Sequence, residues 1–246
     1  MDRTKPIVAL DYATKDEAIK FLNQFPNEQL NVKIGMELFY SGGNDFIDEV
    51  NKRGHEIFLD LKLHDIPNTV KSAMKVLARM QVAMVNVHAA GGGAMMKAAK
   101  EGLIEGTPKG QKRPIIIAVT QLTSTTQEQL EKEQLVHATI EESVLNYAKL
   151  AHESGLDGIV CSPLEAESIR KKISDDFYTV TPGVRLEKNL VKSDDQHRIA
   201  TPYTAALDGS HYIVVGRPIT QATDAVAAYE EVKTGWQKGL AERKGA

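Results

Sequence analysis

EIFLDLK, residues 56–62, is an apolar segment that nonetheless carries two charges in its second half. Side chains on a strand alternate between two faces, so Asp60 and Lys62 share one face with Phe58. The other face is aliphatic and comprises Ile57, Leu59 and Leu61. Burying a charge is costly unless the charge is paired and hydrogen-bonded. We therefore expect a strand whose aliphatic face packs against helices and whose charged face points into a functional interior.

Seven further apolar runs of the same kind lie before and after this segment. The eight predicted strands are PIVALD from Pro6, NVKIG from Asn31, EIFLDLK from Glu56, VAMVNVH from Val82, PIIIAVT from Pro114, DGIVCS from Asp157, FYTVTPG from Phe177 and HYIVVG from His211. The first four begin roughly 25 residues apart, as alternating strands and helices require. Eight such units in 246 residues predict an α/β protein with a (β/α)8 TIM-barrel fold. A doubly wound open sheet is the main alternative, but its usual glycine-rich loop is replaced here by LDYATKDE.

Helix signals occupy the segments between the predicted strands. Thr14 and Glu17 have the spacing of a capping box, in which each side chain satisfies a backbone N–H of the other residue. Ser162 followed by Pro163 is typical of an N-cap and a first helical position. The longer connection over residues 124–154 has room for two helices. These signals agree with a chain of alternating strands and helices.

Two segments carry no such signal. The stretch from Leu186 to His197 lacks periodicity and is rich in Lys and Asp, so we predict a mobile loop. The last residues, AERKGA, resemble a loose end. We therefore expect a single catalytic domain over residues 1–240 and a loose tail over 241–246.

Composition bounds the possible function classes. The net charge is −3 and the sequence pI is near 6.2, so neither a nucleic-acid nor a membrane partner is indicated. The chain has no apolar run of the ~20 residues that span a bilayer and no signal-peptide pattern at its start. Its one cysteine, Cys161, excludes an intramolecular disulfide and suits a reducing compartment. We expect a soluble cytoplasmic protein.

Charged residues recur where the first three predicted strands end. By the same alternation, Asp11, Lys33, Asp60 and Lys62 point into the barrel near its C-terminal mouth. Barrel enzymes keep their active sites at that end. Charges of alternating sign keep one another ionised. A salt-bridge network that only plugs the barrel mouth is the simpler alternative, yet four such residues on three neighbouring strands favour a catalytic array.

A second set of residues follows the last two strands. TPGVR provides Gly183 and Arg185, and VVGRPIT provides Gly216 and Arg217. In TIM barrels the loops after strands seven and eight commonly hold a phosphate through glycine amides and an arginine fork. Two ordinary glycine turns with surface arginines are the alternative. We predict a phosphorylated small molecule as ligand, and no cofactor or metal, since the sequence has neither a Walker loop nor zinc-ligand spacing.

Taken together, these residues resemble the orotidine 5′-phosphate decarboxylase family of the bacterial type over essentially the whole chain. The shared motifs are Asp60-Leu-Lys62-Leu-His-Asp65 with its continuation Ile66-Pro67-Asn68-Thr69, ALDYA, VKIG, QLTS, TPGVR, DDQHR and VVGRPIT. The resemblance implies a TIM barrel that decarboxylates orotidine 5′-phosphate to UMP and CO2 without a cofactor.

The resemblance also assigns roles to the catalytic array. Lys62 would lie next to C6 of the pyrimidine, stabilise the carbanion formed there and protonate it. Asp60 would lie near the departing carboxylate and hold Lys62 in line. Asp65 would complete the array from the neighbouring subunit, together with Thr69. An active site would then exist only in a homodimer.

The remaining roles implied by the resemblance concern substrate binding. Lys33 would reach both a ribose hydroxyl and Asp60, and Asp11 would be a second ribose ligand. The pyrimidine and phosphate contacts would come from Thr123, Ser124, Pro182, Arg185, Gln196, Gly216 and Arg217. Gln196 lies on the predicted mobile loop. By the same resemblance this loop would close over the phosphate and use phosphate binding to organise the charged site.

Two other functions compete with this interpretation. Sister enzymes that act on sugar phosphates share the barrel and the D-x-K-x-x-D motif but use Mg²⁺, held partly by a glutamate at the end of strand two. Here that position is Lys33, whose charge would repel the metal. A non-catalytic nucleotide-binding barrel would be expected to retain the phosphate site and lose the charge array. That array is complete in this sequence.

Overall fold

The structure is a computed structural model that describes residues 1–186 and 200–245. Eight parallel strands close into a barrel in chain order, with β1 hydrogen-bonded to β8. The strands are β1 Ile7–Leu10, β2 Asn31–Gly35, β3 Glu56–Leu63, β4 Met84–His88, β5 Ile115–Val119, β6 Gly158–Val160, β7 Tyr178–Thr181 and β8 Tyr212–Val215. Each lies within one of the eight predicted runs or overlaps it. The TIM-barrel prediction is confirmed and the open sheet is excluded.

Helices cover the outside of the barrel. They are α1 Lys15–Leu22, α2 Met36–Lys52, α3 Pro67–Leu77, α4 Gly92–Gly106, α5 Gln127–Lys132, α6 Ile140–Glu153, α7 Pro163–Lys172, α8 Pro202–Leu207, α9 Arg217–Thr220 and α10 Ala225–Gly245. A 3₁₀ turn over Ala89–Gly91 precedes α4. The capping box of Thr14 and Glu17 is present, as is Pro163 in the first turn of α7. The connection after β5 contains two helices, as predicted.

The C-terminal end of the chain differs from the predicted loose tail. Helix α10 continues to Gly245 rather than ending near residue 240. Glu242 accepts a hydrogen bond from the hydroxyl of Tyr203 (2.7 Å), and Arg243 donates to the carbonyls of Ala206 and Ser210 (2.9 Å each). Ala, Glu, Arg and Lys are strong helix formers, and these anchors on the region around α8 hold the last turns in place.

Two apolar layers follow from strand alternation. The layer inside the barrel comprises Ile7, Ala9, Phe58, Met84, Ile117, Val180, Tyr212 and Val214. The opposite strand faces pack against the helices and include Val8, Leu10, Val32, Ile34, Ile57 and Leu59. The predicted division of EIFLDLK into an aliphatic outer face and an inner face is therefore confirmed. The inner layer fills the barrel beneath the C-terminal mouth.

Helix α3, which directly follows the D-x-K-x-x-D motif, packs unusually closely on α4. A methyl group built on Gly102 would lie 2.3 Å from the carbonyl oxygen of Lys71, and one on Gly106 would lie 2.5 Å from that of Lys75. Both distances are well inside van der Waals contact, so only glycine allows the two helix backbones to approach so closely. This packing fixes the position of the helix into which the motif leads.

The N-terminal end of the barrel is held by an ion pair. The carboxylate of Asp157 accepts two hydrogen bonds from the guanidinium of Arg113, both at 2.8 Å, and a third from the backbone N–H of Ile116 at 2.8 Å. Lys100 Nζ lies 3.6 Å from the same carboxylate. Bidentate pairs of this kind combine charge with geometric fit. Together these contacts tie the starts of β5 and β6 to α4.

Candidate active site

The C-terminal mouth of the barrel contains a small cavity of about 160 Å³. Its apolar floor includes Phe58, Val180 and Val214, and its charged side includes Lys33 and Asp60. A larger cavity of about 550 Å³ opens at the N-terminal end beside the Arg113–Asp157 pair. Because barrel enzymes act at the C-terminal end, and because the smaller cavity adjoins the charge array, we take the smaller one as the candidate site.

The four predicted array residues come together on β1, β2 and β3. Lys62 Nζ lies 2.6 Å from Asp60 Oδ1, and Lys33 Nζ lies 3.4 Å from Asp60 Oδ2. Lys33 Nζ also donates to Asp11 Oδ1 at 3.1 Å. The order Asp11–Lys33–Asp60–Lys62 is therefore a continuous chain of alternating charges. Strand alternation predicted that these four residues would lie at one mouth of the barrel, but not the order of their ion pairs.

The ionisation states within the array follow from these contacts. Burial opposes the charged form of Asp60, but Lys33 and Lys62 outweigh burial and lower the pKa of its carboxyl below the ordinary value. Burial likewise opposes the charge on Lys33, but Asp60 and Asp11 outweigh it and raise the pKa of its ammonium. Both groups are therefore charged at neutral pH. Asp60 is buried and the two lysines are partly buried, and charges in such an environment interact more strongly than in water.

Lys62 has an unusual backbone. Its φ is 51°, in the left-handed region that non-glycine residues rarely adopt. The β3–β4 pairing runs in register up to Leu59 opposite Val85 and resumes only at Leu63 opposite Val87. Three residues of β3 therefore face a single residue of β4, which is a bulge. Both Asp60 and Lys62 line the cavity, and Lys62 does so from within this bulge near the end of β3.

The predicted phosphate residues lie across the barrel mouth from Lys62. Gly183 follows β7 with φ 81°, a conformation that favours glycine, and Arg185 is 7% exposed with its guanidinium donating to the Val184 carbonyl at 3.1 Å. Gly216 is the N-cap of α9 and Arg217 its first residue. A methyl group built on Gly216 would lie 3.4 Å from Asp11 Oδ2. The two predicted halves of the site are therefore neighbours through the β1–β8 contact.

The remaining predicted ligands are placed unevenly. Thr123 and Pro182 line the cavity, whereas Ser124 lies exposed in the same turn as Thr123. Gln196 lies outside the described residues. Asp65 and Thr69 are exposed, and among the described residues neither forms part of the cavity wall. The carboxylate of Asp65 accepts the backbone N–H of Ile66 at 2.6 Å.

Comparison with known proteins identifies the family. The model of the orotidine 5′-phosphate decarboxylase / HUMPS family matches residues 4–232. The chain belongs to this family. It is 57% identical over 94% of its length to the orotidine 5′-phosphate decarboxylase of Listeria monocytogenes, covering 98% of that protein. Identity to the corresponding protein of Bacillus cytotoxicus is also 57%, over 94% of this chain and 96% of that one.

Solved structures agree with this assignment to the decarboxylase family. The orotidine 5′-phosphate decarboxylase of Lactobacillus acidophilus superposes with a TM-score of 0.85 at 46% identity, over 94% of this chain and 98% of that one. An uncharacterized conserved protein from Geobacillus kaustophilus gives a TM-score of 0.84 at 47% identity, over 94% and 99% of the two chains. Within the described part of the chain, no helix is both long and apolar enough to cross a membrane.

The family also includes HUMPS enzymes, and the residue at position 33 bears on which branch this chain resembles. Its ammonium sits between Asp11 and Asp60, at 3.1 and 3.4 Å. A divalent cation in the same place would have to displace the partly buried positive charge of Lys33 or be repelled by it. The two carboxylates are therefore already neutralised by an amine. This arrangement favours the decarboxylase branch over a magnesium-dependent one.

One contact of the decarboxylase array was missed by the sequence analysis. Asn86 on β4 is 1% exposed and bonds to both Asp60 and Lys62. A signal for it was present, because alternation in VAMVNVH places Asn86 on the same inward face as Met84. A polar amide on an otherwise apolar inner face, next to the strand with the D-x-K-x-x-D motif, is therefore a signal that the sequence contains.

Proposed function

We propose that the chain decarboxylates orotidine 5′-phosphate to UMP and CO2 by direct electrostatic stabilisation of a C6 carbanion, with Lys62 as the proton donor. The activity follows from the family and from the relatives that carry its name. The observation that supports the roles is the Lys62 ammonium, held 2.6 Å from Asp60 at the edge of the cavity. No other cation among the described residues combines this position with a strained backbone.

The reaction balances without a redox partner. The bond between C6 and its carboxylate breaks, CO2 leaves, and the electron pair stays on C6. The pyrimidine ring gives that pair no resonance path, so a positive charge placed beside C6 stabilises it. Lys62 then transfers one proton to C6, which yields UMP and a neutral amine. The amine regains its proton from solvent and the cycle closes.

Asp60 has two tasks in this proposal. It forms ion pairs with both lysines and accepts a hydrogen bond from Lys62, so it fixes the ammonium of Lys62 before substrate arrives. Its charge also lies near the space in which the substrate carboxylate would sit. Because CO2 is neutral, any repulsion between the two carboxylates would be released as the reaction proceeds. A preorganised site of this kind needs little rearrangement at the moment of reaction.

Binding of the rest of the substrate would supply the energy that organises the array. We assign the ribose hydroxyls to Asp11 and Lys33, which lie next to each other at the mouth. The pyrimidine and phosphate ligands would be Thr123, Ser124, Pro182, Arg185, Gln196, Gly216 and Arg217. Arg185 and Arg217 follow β7 and β8, where barrels commonly bind phosphate. Remote contacts of this kind raise the rate when they are stronger in the transition state.

We further propose a homodimer in which Asp65 and Thr69 complete the partner's site. In support, both residues are exposed and flank Ile66, whose side chain is 66% exposed. Polar groups around an uncovered apolar side chain are typical of an interface. The single buried cysteine fits a reducing compartment, and we propose the cytoplasm as the location.

Mixing two inactive variants tests the shared site. In a heterodimer of Lys62→Ala and Asp65→Ala chains, one site carries both substitutions and the other carries neither. Random mixing should therefore restore about a quarter of the wild-type sites, by the two-fold symmetry of such a dimer. No recovery from well-folded, mixed dimers would show that Lys62 and Asp65 act within one chain.

Turnover of orotidine 5′-phosphate tests the function itself. We expect the ultraviolet absorbance of the substrate to change to that of UMP, at a rate that excess EDTA leaves unchanged. A folded protein with no turnover would contradict the proposal and direct attention to magnesium and sugar phosphates. Turnover that EDTA abolishes would contradict the cofactor-free mechanism while leaving the substrate assignment in place.

A further inference from the structure

Asn86 lies opposite the bulge that carries Lys62. The three residues from Asp60 to Lys62 face this single residue of β4, so the regular β3–β4 ladder is interrupted there. An interrupted ladder leaves backbone groups without strand partners, and buried backbone N–H groups are almost always satisfied in native proteins. Asn86 is 1% exposed, so its carboxamide cannot bond to solvent. It must find its hydrogen-bond partners within the protein.

The Asn86 carboxamide fills the interruption with two hydrogen bonds. Its Oδ1 accepts the backbone N–H of Lys62 at 2.8 Å, and its Nδ2 donates to Asp60 Oδ1 at 2.7 Å. The partners fix the orientation of the amide, since the N–H needs an acceptor and the carboxylate needs a donor. Lys62 Nζ closes the ring by donating to the same Asp60 oxygen at 2.6 Å.

We propose that Asn86 is a positioning residue that holds Lys62 in its left-handed backbone conformation and Asp60 in its rotamer. This inference rests on the proposed function of Lys62 as proton donor. Asn86 itself need not touch the reacting atoms. It determines where the ammonium of Lys62 stands relative to C6, because it fixes the backbone from which Lys62 extends and the carboxylate to which Lys62 is bonded.

The geometry explains why an amide is required at this position. A left-handed Lys62 is strained, and strained backbones persist where the surroundings over-determine them. An aliphatic residue would leave the Lys62 N–H unsatisfied. An aspartate would keep the acceptor for that N–H but would place a second carboxylate against Asp60. The charged or titratable groups that contact or influence Asp60 are Lys33, Lys62 and His88, and Asp11 is linked to it through Lys33.

Two variants separate these effects. Asn86→Ala removes both hydrogen bonds, and we expect kcat to fall about 10- to 100-fold while the affinity for UMP changes by less than about threefold. Asn86→Asp keeps the size of the side chain and the acceptor. Two adjacent carboxylates share a proton more readily, so the acid limb of the kcat/KM profile should move toward neutral pH in this variant.

Asn31 provides a matched control on β2, the strand on the other side of β3 from Asn86. It is also 1% exposed, but its amide donates to the carbonyls of Asp2 and Lys5 (2.7 and 3.2 Å), far from the mouth. Asn31→Ala should lower the unfolding temperature and leave kcat and the pH profile of kcat/KM unchanged. A change in kcat common to Asn31→Ala and Asn86→Ala would indicate a general loss of packing.

The outcomes are distinguishable. Wild-type turnover together with unchanged kcat and pH profile in both Asn86 variants would overturn the positioning role alone. Loss of UMP affinity in proportion to kcat, or failure of both Asn86 variants to fold, would make Asn86 a general structural residue and overturn it as well. A wild-type protein without turnover of orotidine 5′-phosphate would overturn the proposed function, and this inference with it.

Discussion

Both ends of the barrel carry an aspartate bonded to two cations, yet the two sites differ in their backbones. At the N-terminal end, Asp157 pairs with Arg113 through two hydrogen bonds of 2.8 Å and with a backbone N–H. At the C-terminal end, Asp60 pairs with two lysines at 2.6 and 3.4 Å. Neither Asp157 nor Arg113 has a positive φ, whereas Lys62 does.

The difference supports the C-terminal cluster as the proposed catalytic one. A guanidinium fork matched to a carboxylate is close to the best geometry for stability, and it leaves no charge to offer a ligand. Lysine ammoniums are point charges on flexible stems, and one can bond to a carboxylate while still facing a cavity. Backbone strain at Lys62, combined with the cavity that Lys62 lines, distinguishes the C-terminal mouth from the N-terminal end. A bare count of salt bridges would have treated the two alike.

The largest expected contrast is in catalysis. Lys62→Ala removes both the stabilising charge and the proton donor, so we expect kcat to fall by at least about 10⁴-fold. The affinity for UMP should persist, because the phosphate and ribose contacts remain. Steady-state kinetics and UMP titration measure the two effects. A near-normal rate in Lys62→Ala would contradict the proposed catalytic role of the C-terminal cluster.

Substitution at the N-terminal end of the barrel should lower stability and leave catalysis unchanged. Asp157→Ala removes the carboxylate that pairs with the partly buried Arg113 and that accepts the Ile116 N–H. We expect this loss to lower the unfolding free energy by about 2 kcal/mol. Its kcat and KM at a temperature well below unfolding should equal those of the wild type. Urea denaturation and turnover assays check this. A large loss of kcat in the folded variant would contradict a purely structural role for this pair.

Backbone strain at the mouth predicts a smaller effect on stability. Glycine adopts the φ of 51° at position 62 without penalty, whereas alanine does not. Lys62→Gly should therefore be more stable than Lys62→Ala by about 1 kcal/mol, and both should be inactive. Chemical denaturation of the two variants measures the difference. Equal stabilities would mean that the left-handed conformation costs little in this protein.

The pH dependence of stability gives the smallest signal. Burial opposes the charge on Asp60, but Lys33 and Lys62 outweigh burial and lower the folded-state pKa of this carboxyl below its ordinary value of 3.8. Its ion pairs therefore add stability that is fully present above pH 3.8 and lost as pH falls through the lowered pKa. The wild type should exceed Asp60→Asn in unfolding free energy at neutral pH, and the gap should close in acid. A gap that widens in acid would contradict the sign of this shift.

Much of the fold was predictable because period-two alternation is a strong local signal. EIFLDLK alone assigns Asp60 to the inner face and Leu59 to the outer one, and both assignments are confirmed. The same reasoning on three strands brought Asp11, Lys33 and Asp60 to one mouth. These inferences depend only on strand order and on which face is aliphatic.

The contacts that a single strand cannot reveal were not predictable in the same way. The bulge at Lys62 depends on the register between β3 and β4, and no pattern within β3 shows two extra residues. The partner of its freed N–H, Asn86, lies 24 positions further along the chain. The helical end of α10 was missed although AERKGA contains helix-forming residues, because the contacts of Arg243 with Ala206 and Ser210 that hold it are long-range.

Exchange of the C6 hydrogen of UMP in D2O tests the central claim most directly. If Lys62 delivers the proton to C6, microscopic reversibility requires that it can also remove one. The wild-type protein should therefore catalyse deuterium incorporation at C6, and Lys62→Ala should bind UMP without doing so, as NMR or mass spectrometry would show. Undiminished exchange in a UMP-binding Lys62→Ala variant would contradict the account, because another group would then be the proton donor.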